Sequence, residues 1–172
     1  MKILIVILIG LFYLQGCTQM PSVKTANSID LNLMMDTWYV QAGRFTFLEK
    51  DVHNGVEIYR WNNEKSQIDI DFTFNQGSFD GPKKSLPQKG WVFDKASNAH
   101  WKVSPLWPLK FDYLILARGD LHEWVAIGVP NQNYLWIMTK KKIVEKEYIE
   151  SIVQIIANNG YRVDNLVYVP HK

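Results

Sequence analysis

Between Ile68 and Phe74 the chain alternates without a fault: Ile68, Ile70, Phe72 and Phe74 are apolar, while Asp69, Asp71 and Thr73 between them are polar. Successive side chains of an extended backbone point to opposite sides, so a period of two marks a strand with one dry face and one wet face. Such a strand needs neighbours on both edges and a core beneath it. Runs of the same kind recur from Thr37 onward, and eight strands are expected. They lie near Thr37 to Phe47, Gly55 to Trp61, Gln67 to Phe74, Ser85 to Phe93, His100 to Ser104, Phe111 to Ala117, Glu123 to Val129 and Tyr134 to Thr139. Turn chemistry separates them, including Asn54-Gly55, Asn62-Asn63, Gly81-Pro82, Ser97-Asn98, Gly119-Asp120 and Pro130-Asn131. Short strands at this spacing build an all-β barrel or sandwich.

The last strands, such as Val125-Ala126-Ile127 and Tyr134 to Met138, are apolar on both faces, so something must cover them from outside. One amphipathic helix is predicted over Val144 to Asn159, where Tyr148, Ile149, Ile152, Ile155 and Ile156 recur at three- and four-residue spacing. Gly160 supplies its stop, and Leu166 to Val169 reads as a short final edge strand. Lys and Arg are scarce within this helix, which favours packing on the sheet over lying on a membrane surface.

Charge narrows the partners. Of 172 residues, 19 are Lys or Arg and 17 are Asp or Glu, a net +2 that provides no basic surplus for following a phosphate backbone; no nucleic-acid partner is expected. The 23 aromatic rings (Trp 7, Tyr 8, Phe 8) suit a wide apolar interior. The single Cys excludes an intrachain disulfide and any zinc site built on several thiolates.

That Cys sits where it means most. Lys2 precedes an almost unbroken apolar run from Ile3 to Leu14, too short to span a bilayer permanently and suited to a secretory signal over residues 1–16. The run ends Leu14-Gln15-Gly16-Cys17, which resembles the bacterial lipobox, whose Cys receives a diacylglycerol. Cys17 is therefore expected to be the lipidation site and the first mature residue, giving a membrane partner through an N-terminal lipid anchor. Residues 17–30, without periodicity, read as a tether, and residues 31–172 as the folded domain. By resemblance to envelope lipoproteins, Thr18 rather than Asp after the Cys implies the outer membrane, on its periplasmic face.

Thr37-Trp38-Tyr39 at the start of the first strand is followed by Asp112-Tyr113, and then by Tyr134-Leu135-Trp136-Ile137-Met138-Thr139-Lys140 before the helix. This order resembles the lipocalins, and among them the bacterial lipocalin lipoproteins and their apolipoprotein D-like relatives, over about 135 residues from Asp30 to Tyr168. Gly77 to Lys84 and Leu106-Trp107-Pro108-Leu109 add to the likeness. The resemblance implies an eight-stranded antiparallel up-and-down barrel with the C-terminal helix packed outside. It also implies that Trp38 stands at the closed floor with a basic side chain across it, here Lys140, with Lys142 as the alternative. Family members commonly have Arg at Lys140 and Gly at Asp36. Arg stacks on an indole better than Lys does, so a looser latch is expected.

A barrel of eight strands either fills itself with side chains or holds one small ligand. Strand phase turns Trp38, Val40, Ala42, Tyr59, Ile68, Ile70, Phe72, Phe74, Trp101, Val103, Tyr113 and Ile115 inward, with Trp91, Phe93 and Trp136 as further candidates. This lining suits a lipid ligand such as a fatty acid or lysophospholipid. Lys83 and Lys84 are the candidate head-group partners at the open end. The apolar loop Leu106 to Leu109 is expected to fold inward, dip into lipid or meet a second protomer in a homodimer, with the lipid contact favoured.

Chemistry-bearing motifs are absent. There is no Gly-x-Ser-x-Gly elbow, and His122-Glu123 lacks the second His of a zinc protease. His53, His100, His122 and His171 are scattered, so no metal site or cofactor is expected. Arg118-Gly119-Asp120 reads as a hairpin turn. No catalytic residue emerges, and the other reading is a structural envelope lipoprotein whose barrel is self-filled.

Overall fold

The computed structural model describes residues 22–172, so the signal segment and Cys17 lie outside the described residues. Eight strands follow in chain order: β1 (Thr37–Arg44), β2 (Val52–Asn62), β3 (Gln67–Gln76), β4 (Lys83–Val92), β5 (His100–Ser104), β6 (Phe111–Arg118), β7 (Trp124–Gly128) and β8 (Leu135–Thr139). Each pairs antiparallel with the next, and β1 pairs with both β8 and β2, which closes the sheet into a barrel. A two-residue strand, β9 (Val167–Tyr168), adds to the edge of β1 opposite Ala42 and Gly43. The Arg118-Gly119-Asp120 tripeptide begins the turn between β6 and β7, where the Gly119 N–H donates to the Trp124 carbonyl at 3.0 Å.

Two apolar layers stabilise this barrel. Inside, Trp38, Val40, Tyr59, Ile68, Ile70, Phe72, Phe74, Trp101, Val103, Ile115, Ile127 and Met138 form one buried cluster. Outside, Leu114, Leu116, Trp124, Ala126, Leu135 and Ile137 meet Ile149, Ile152 and Ile156 of helix α2 (Lys146–Asn158). The helix α1 that precedes α2 in the chain is a single turn, Leu31–Met34, described below. The outer cluster explains why β6 to β8 are apolar on both faces. On α2, Tyr148 and Ile155 of the expected stripe remain partly exposed at its margins.

Ala42 departs from the expected phase. Strict alternation from Trp38 through Val40 would turn it inward, but the register between β1 and β8 shifts between Val40 and Ala42, pairing Val40 with Met138 and Ala42 with Ile137. One extra residue in a strand reverses the faces that follow it. Ala42 therefore packs in the outer cluster beneath α2. Trp91 and Phe93 also fall outside the inner cluster, because the inward face of β4 passes through Gly90, which lies against Ile68, Ile70 and Val103.

The segment Ser22 to Asp30, expected as part of a tether, lies along the barrel wall. Lys24 Nζ donates to Asn159 Oδ1 at 3.1 Å, Ala26 N–H to the Ile115 carbonyl at 2.9 Å, and Ile29 N–H to the Ser97 carbonyl at 2.8 Å. Ile29 is buried. The Asp30 carboxylate then caps α1 by accepting from Asn32 N–H at 2.9 Å, and the Met34 carbonyl accepts the Trp38 indole N–H at 3.0 Å. The chain thus passes from the end of α2 to the barrel floor before β1 begins.

Candidate functional site

The two ends of the barrel are built differently. At the closed end Trp38 is fully buried, and the Lys140 ammonium lies 5.4 Å from the centroid of its ring while pairing with Asp36 at 2.8 Å. Burial alone would raise the Asp36 carboxyl; hydrogen bonds from Lys140 and the Thr37 N–H outweigh it and hold it below its usual value. His122, in the turn between β6 and β7, is buried beside this floor, with Nε2 accepting the Asp30 N–H at 3.3 Å. Trp101, Tyr59 and Phe72 fill the barrel above Trp38.

At the other end the barrel is open. A cavity of about 520 Å³ lies between Leu86 and Gln88 of β4, Val103 of β5, Phe111, Asp112 and Tyr113 of β6, and Trp136 of β8. Three loops form its mouth: Thr46 to Glu49, Pro105, and Val129 to Asn131 with Tyr134. A volume of this size is within the range that holds a small apolar ligand.

Four aromatic rings connect the packed half to the open half. Tyr59 lies 6.0 Å from Trp101, Trp101 stacks on Tyr113 at 5.9 Å, and Tyr113 stacks on Trp136 at 6.2 Å between centroids. Only Tyr113 and Trp136 reach the cavity.

The charged groups of the cavity are acidic. Glu57 of β2 faces it two residues before Tyr59, on the same inward face. The Tyr113 hydroxyl donates to the Tyr59 hydroxyl at 2.5 Å, and the Tyr59 hydroxyl donates to Glu57 Oε2 at 2.5 Å. Burial pushes the Glu57 carboxyl up to about 7; the Tyr59 hydrogen bond opposes the shift and the neighbouring Glu49 charge adds to it. Both phenols are raised well above their usual value, chiefly by burial.

Glu49 is engaged at both oxygens. Oε2 accepts from the Thr46 N–H at 2.9 Å and the Thr46 hydroxyl at 2.7 Å, and Oε1 accepts the Trp136 indole N–H at 2.8 Å. This bonding fixes the Phe47–Glu49 turn onto β8. Asp112 pairs with Lys102 and His100, which outweigh the effect of burial and keep its carboxyl low.

Arg44, at the mouth end of β1, ties the rim together. Its guanidinium donates to the carbonyls of Gln132 at 2.5 Å, Asn133 at 2.8 Å and Asp164 at 2.6 Å. Tyr161, just beyond α2, accepts the Val129 N–H at 2.8 Å and donates to the Tyr134 carbonyl at 2.6 Å. The tyrosine ring packs so closely on Gly128 that a Cβ there would meet its hydroxyl at 2.5 Å.

Of the expected lining residues, Val103 and Tyr113 border the cavity, while Trp38, Val40, Tyr59, Ile68, Ile70, Phe72, Phe74, Trp101 and Ile115 pack beside and below it. Trp136, a further candidate, also borders it. Lys83 and Lys84 are exposed at the start of β4 and do not border it. Leu106, Trp107 and Leu109 are exposed at the rim, Trp107 at 70%, and Phe47, in the Thr46 to Glu49 loop of the mouth, at 87%. Glu57 was not among the expected residues. Counting back by two from Tyr59 reaches Glu57, so the signal was present as an acid on an inward face.

Comparison with known proteins gives a consistent picture. The outer membrane lipoprotein Blc of Vibrio cholerae is 23% identical over 158 residues, covering 91% of each chain. That of Citrobacter freundii is 23% identical over 157 residues, covering 88% of this chain and 85% of the relative. Among solved structures, insecticyanin of the tobacco hornworm Manduca sexta superposes with a TM-score of 0.67 at 15% identity, covering 88% of this chain and 86% of that one. The sequence model of the lipocalin-like domain matches residues 29–171. With the closed antiparallel barrel, its external helix and that match in agreement, the chain belongs to the lipocalin-like domain family.

Proposed function

We propose that the protein is an outer-membrane-anchored lipid carrier that holds fatty acids, lysophospholipids or similar small apolar ligands in the open half of its barrel for envelope maintenance. The observation that carries this reading is the cavity of about 520 Å³ above a packed floor. Relatives named as outer membrane lipoproteins, spanning most of this chain, support the location. Cys17, in its lipobox-like setting, is the attachment point.

The path of the N-terminal segment favours a mouth that faces the membrane. Lys24 is bonded to Asn159 at the end of α2, and the chain after α2 is bonded through Tyr161 to Val129 and Tyr134 at the mouth. The six residue steps from Cys17 to Val23 extend at most about 20 Å. Phe47, Leu106, Trp107 and Leu109 would then meet the lipid surface from which a ligand comes. Each methylene moved out of water contributes about 0.8 kcal/mol. A ligand leaving a bilayer is already dry, so the net preference is much smaller and suits exchange.

Lipid extraction from detergent-free protein followed by mass spectrometry tests the reading. A stoichiometric single-chain lipid is expected. An empty barrel that also fails to bind a long-chain fluorescent probe would instead support a structural lipoprotein, the reading favoured by the filled lower half.

A further inference from the structure

Any carrier must match the polar end of its cargo as well as its chain, and the polar side chains of this cavity are unevenly chosen. Its ionisable lining residues are Glu49, Glu57, Asp112, Tyr113 and Tyr134; among the described residues no Lys, Arg or His borders it. Asp112 is already paired with Lys102 and His100, and Glu49 has hydrogen bonds at both oxygens. Glu57 is different. Tyr59 occupies Oε2, and Oε1 accepts no hydrogen bond among the described residues. The carboxyl sits where the packed rings end and the cavity begins, since Tyr59 and Trp101 lie beneath it without bordering the space.

We infer that Glu57 is a ligand-recognition residue and that the preferred cargo is a single-chain amphiphile ending in a protonated amine, which the free carboxylate oxygen accepts. The inference rests on the carrier reading and narrows its ligand class. An ammonium brings hydrogen-bond donors and a charge opposite to Glu57, in a site where water is scarce and such bonds are strong. A free carboxylate would face Glu57 and Glu49 with no cation in the lining to offset them. The hydroxyl chain from Tyr113 through Tyr59 to Glu57 holds the carboxyl in place and points the Tyr59 hydroxyl at Oε2, leaving Oε1 for the ligand. Burial, which raises the empty carboxyl, adds to the benefit of a cationic partner. The chain as a whole carries +2, so attraction to net charge does not account for an amine preference.

Matched twelve-carbon probes test this at pH 8, above the Glu57 carboxyl's value of about 7. Dodecylamine, dodecanol and dodecanoate compete, each below its solubility or micelle limit, against a long-chain fluorophore bound to the mature protein. Dodecylamine is expected to displace the fluorophore at a concentration at least about tenfold below dodecanoate. In Glu57→Gln that gap should shrink to about threefold or less through weaker amine binding, while dodecanol, which also reports a folded cavity, changes little. Parity of amine and carboxylate in the unaltered protein overturns the inference and leaves the carrier reading standing. A gap that survives Glu57→Gln also overturns it. Should the variant fail to fold, the ratio in the unaltered protein decides alone. Failure of the fluorophore and all three chains to bind refutes both readings together.

Discussion

Glu57 and Tyr59, two residues apart on the inward face of β2, are joined by a hydrogen bond of 2.5 Å in which the phenol donates to the carboxylate. Because β2 keeps strict alternation here, the acid is carried into the barrel by the same periodicity that buries the ring. The consequence is a carboxyl surrounded by Tyr59, Tyr113 and Glu49 that titrates near neutrality.

The first prediction is a pH dependence of stability. The Glu57 carboxyl rises from 4.5 to about 7 on folding, so between these values the folded protein binds more protons than the unfolded chain. Stability from this group is therefore greatest below about pH 4.5 and declines as pH rises to about 7, by up to about 3 kcal/mol. Urea midpoints measured between pH 5.5 and 8 should fall for the unaltered protein. Glu57→Gln should flatten that slope; an equal slope in both would assign it to another group.

The floor latch gives a second. Lys140 has both the Trp38 ring and the Asp36 carboxylate within reach, and its side chain is about a quarter exposed. Lys140→Ala should cost about 1 kcal/mol. Lys140→Arg should be neutral or slightly stabilising, since a planar guanidinium stacks on an indole while still pairing with the acid. Thermal denaturation resolves both, at roughly 2–4 °C per kcal/mol for a domain of this size.

A third concerns the space itself. Leu86 borders the cavity without being fully buried, so Leu86→Trp can place its indole in the open volume. Fluorescent-probe binding should weaken at least about tenfold while the urea midpoint holds or rises, since the added ring fills an existing void. Probe affinity unchanged by this substitution would place the ligand elsewhere.

The rim supplies the fourth. Trp107 is 70% exposed beside Leu106 and Leu109, and Lys110 lies 3.8 Å from the centroid of Trp91 at the base of the same loop. Trp107→Ser should slow lipid transfer between vesicles severalfold while leaving probe affinity in solution near its original value. Unchanged transfer removes the loop from the exchange step.

Much of this barrel is legible in the chain, for physical reasons that also explain the errors. Ile68 to Phe74 reads cleanly because hydropathy and pleat share one period, and α2 because its covered face must be apolar. Ala42 does not, because a β-bulge changes phase without changing composition. On β4 the inward positions are Leu86, Gln88, Gly90 and Val92, where a polar Gln and a side-chain-free Gly interrupt the apolar face; the larger Trp91 and Phe93 draw attention to the wrong face. The cavity is the least legible part. Its mouth is made by loop residues such as Thr46 and Val129, which have no period, and its acid was hidden by the expectation that inward means apolar.

Below Tyr113 and Trp136 the interior of the described barrel is packed with buried side chains, and above them lies the cavity. Cohesion and vacancy therefore occupy separate storeys of one cylinder. Under the carrier reading proposed above, a passenger in the upper storey makes no contact on which the lower one depends, so loading and unloading would leave the strands in one register.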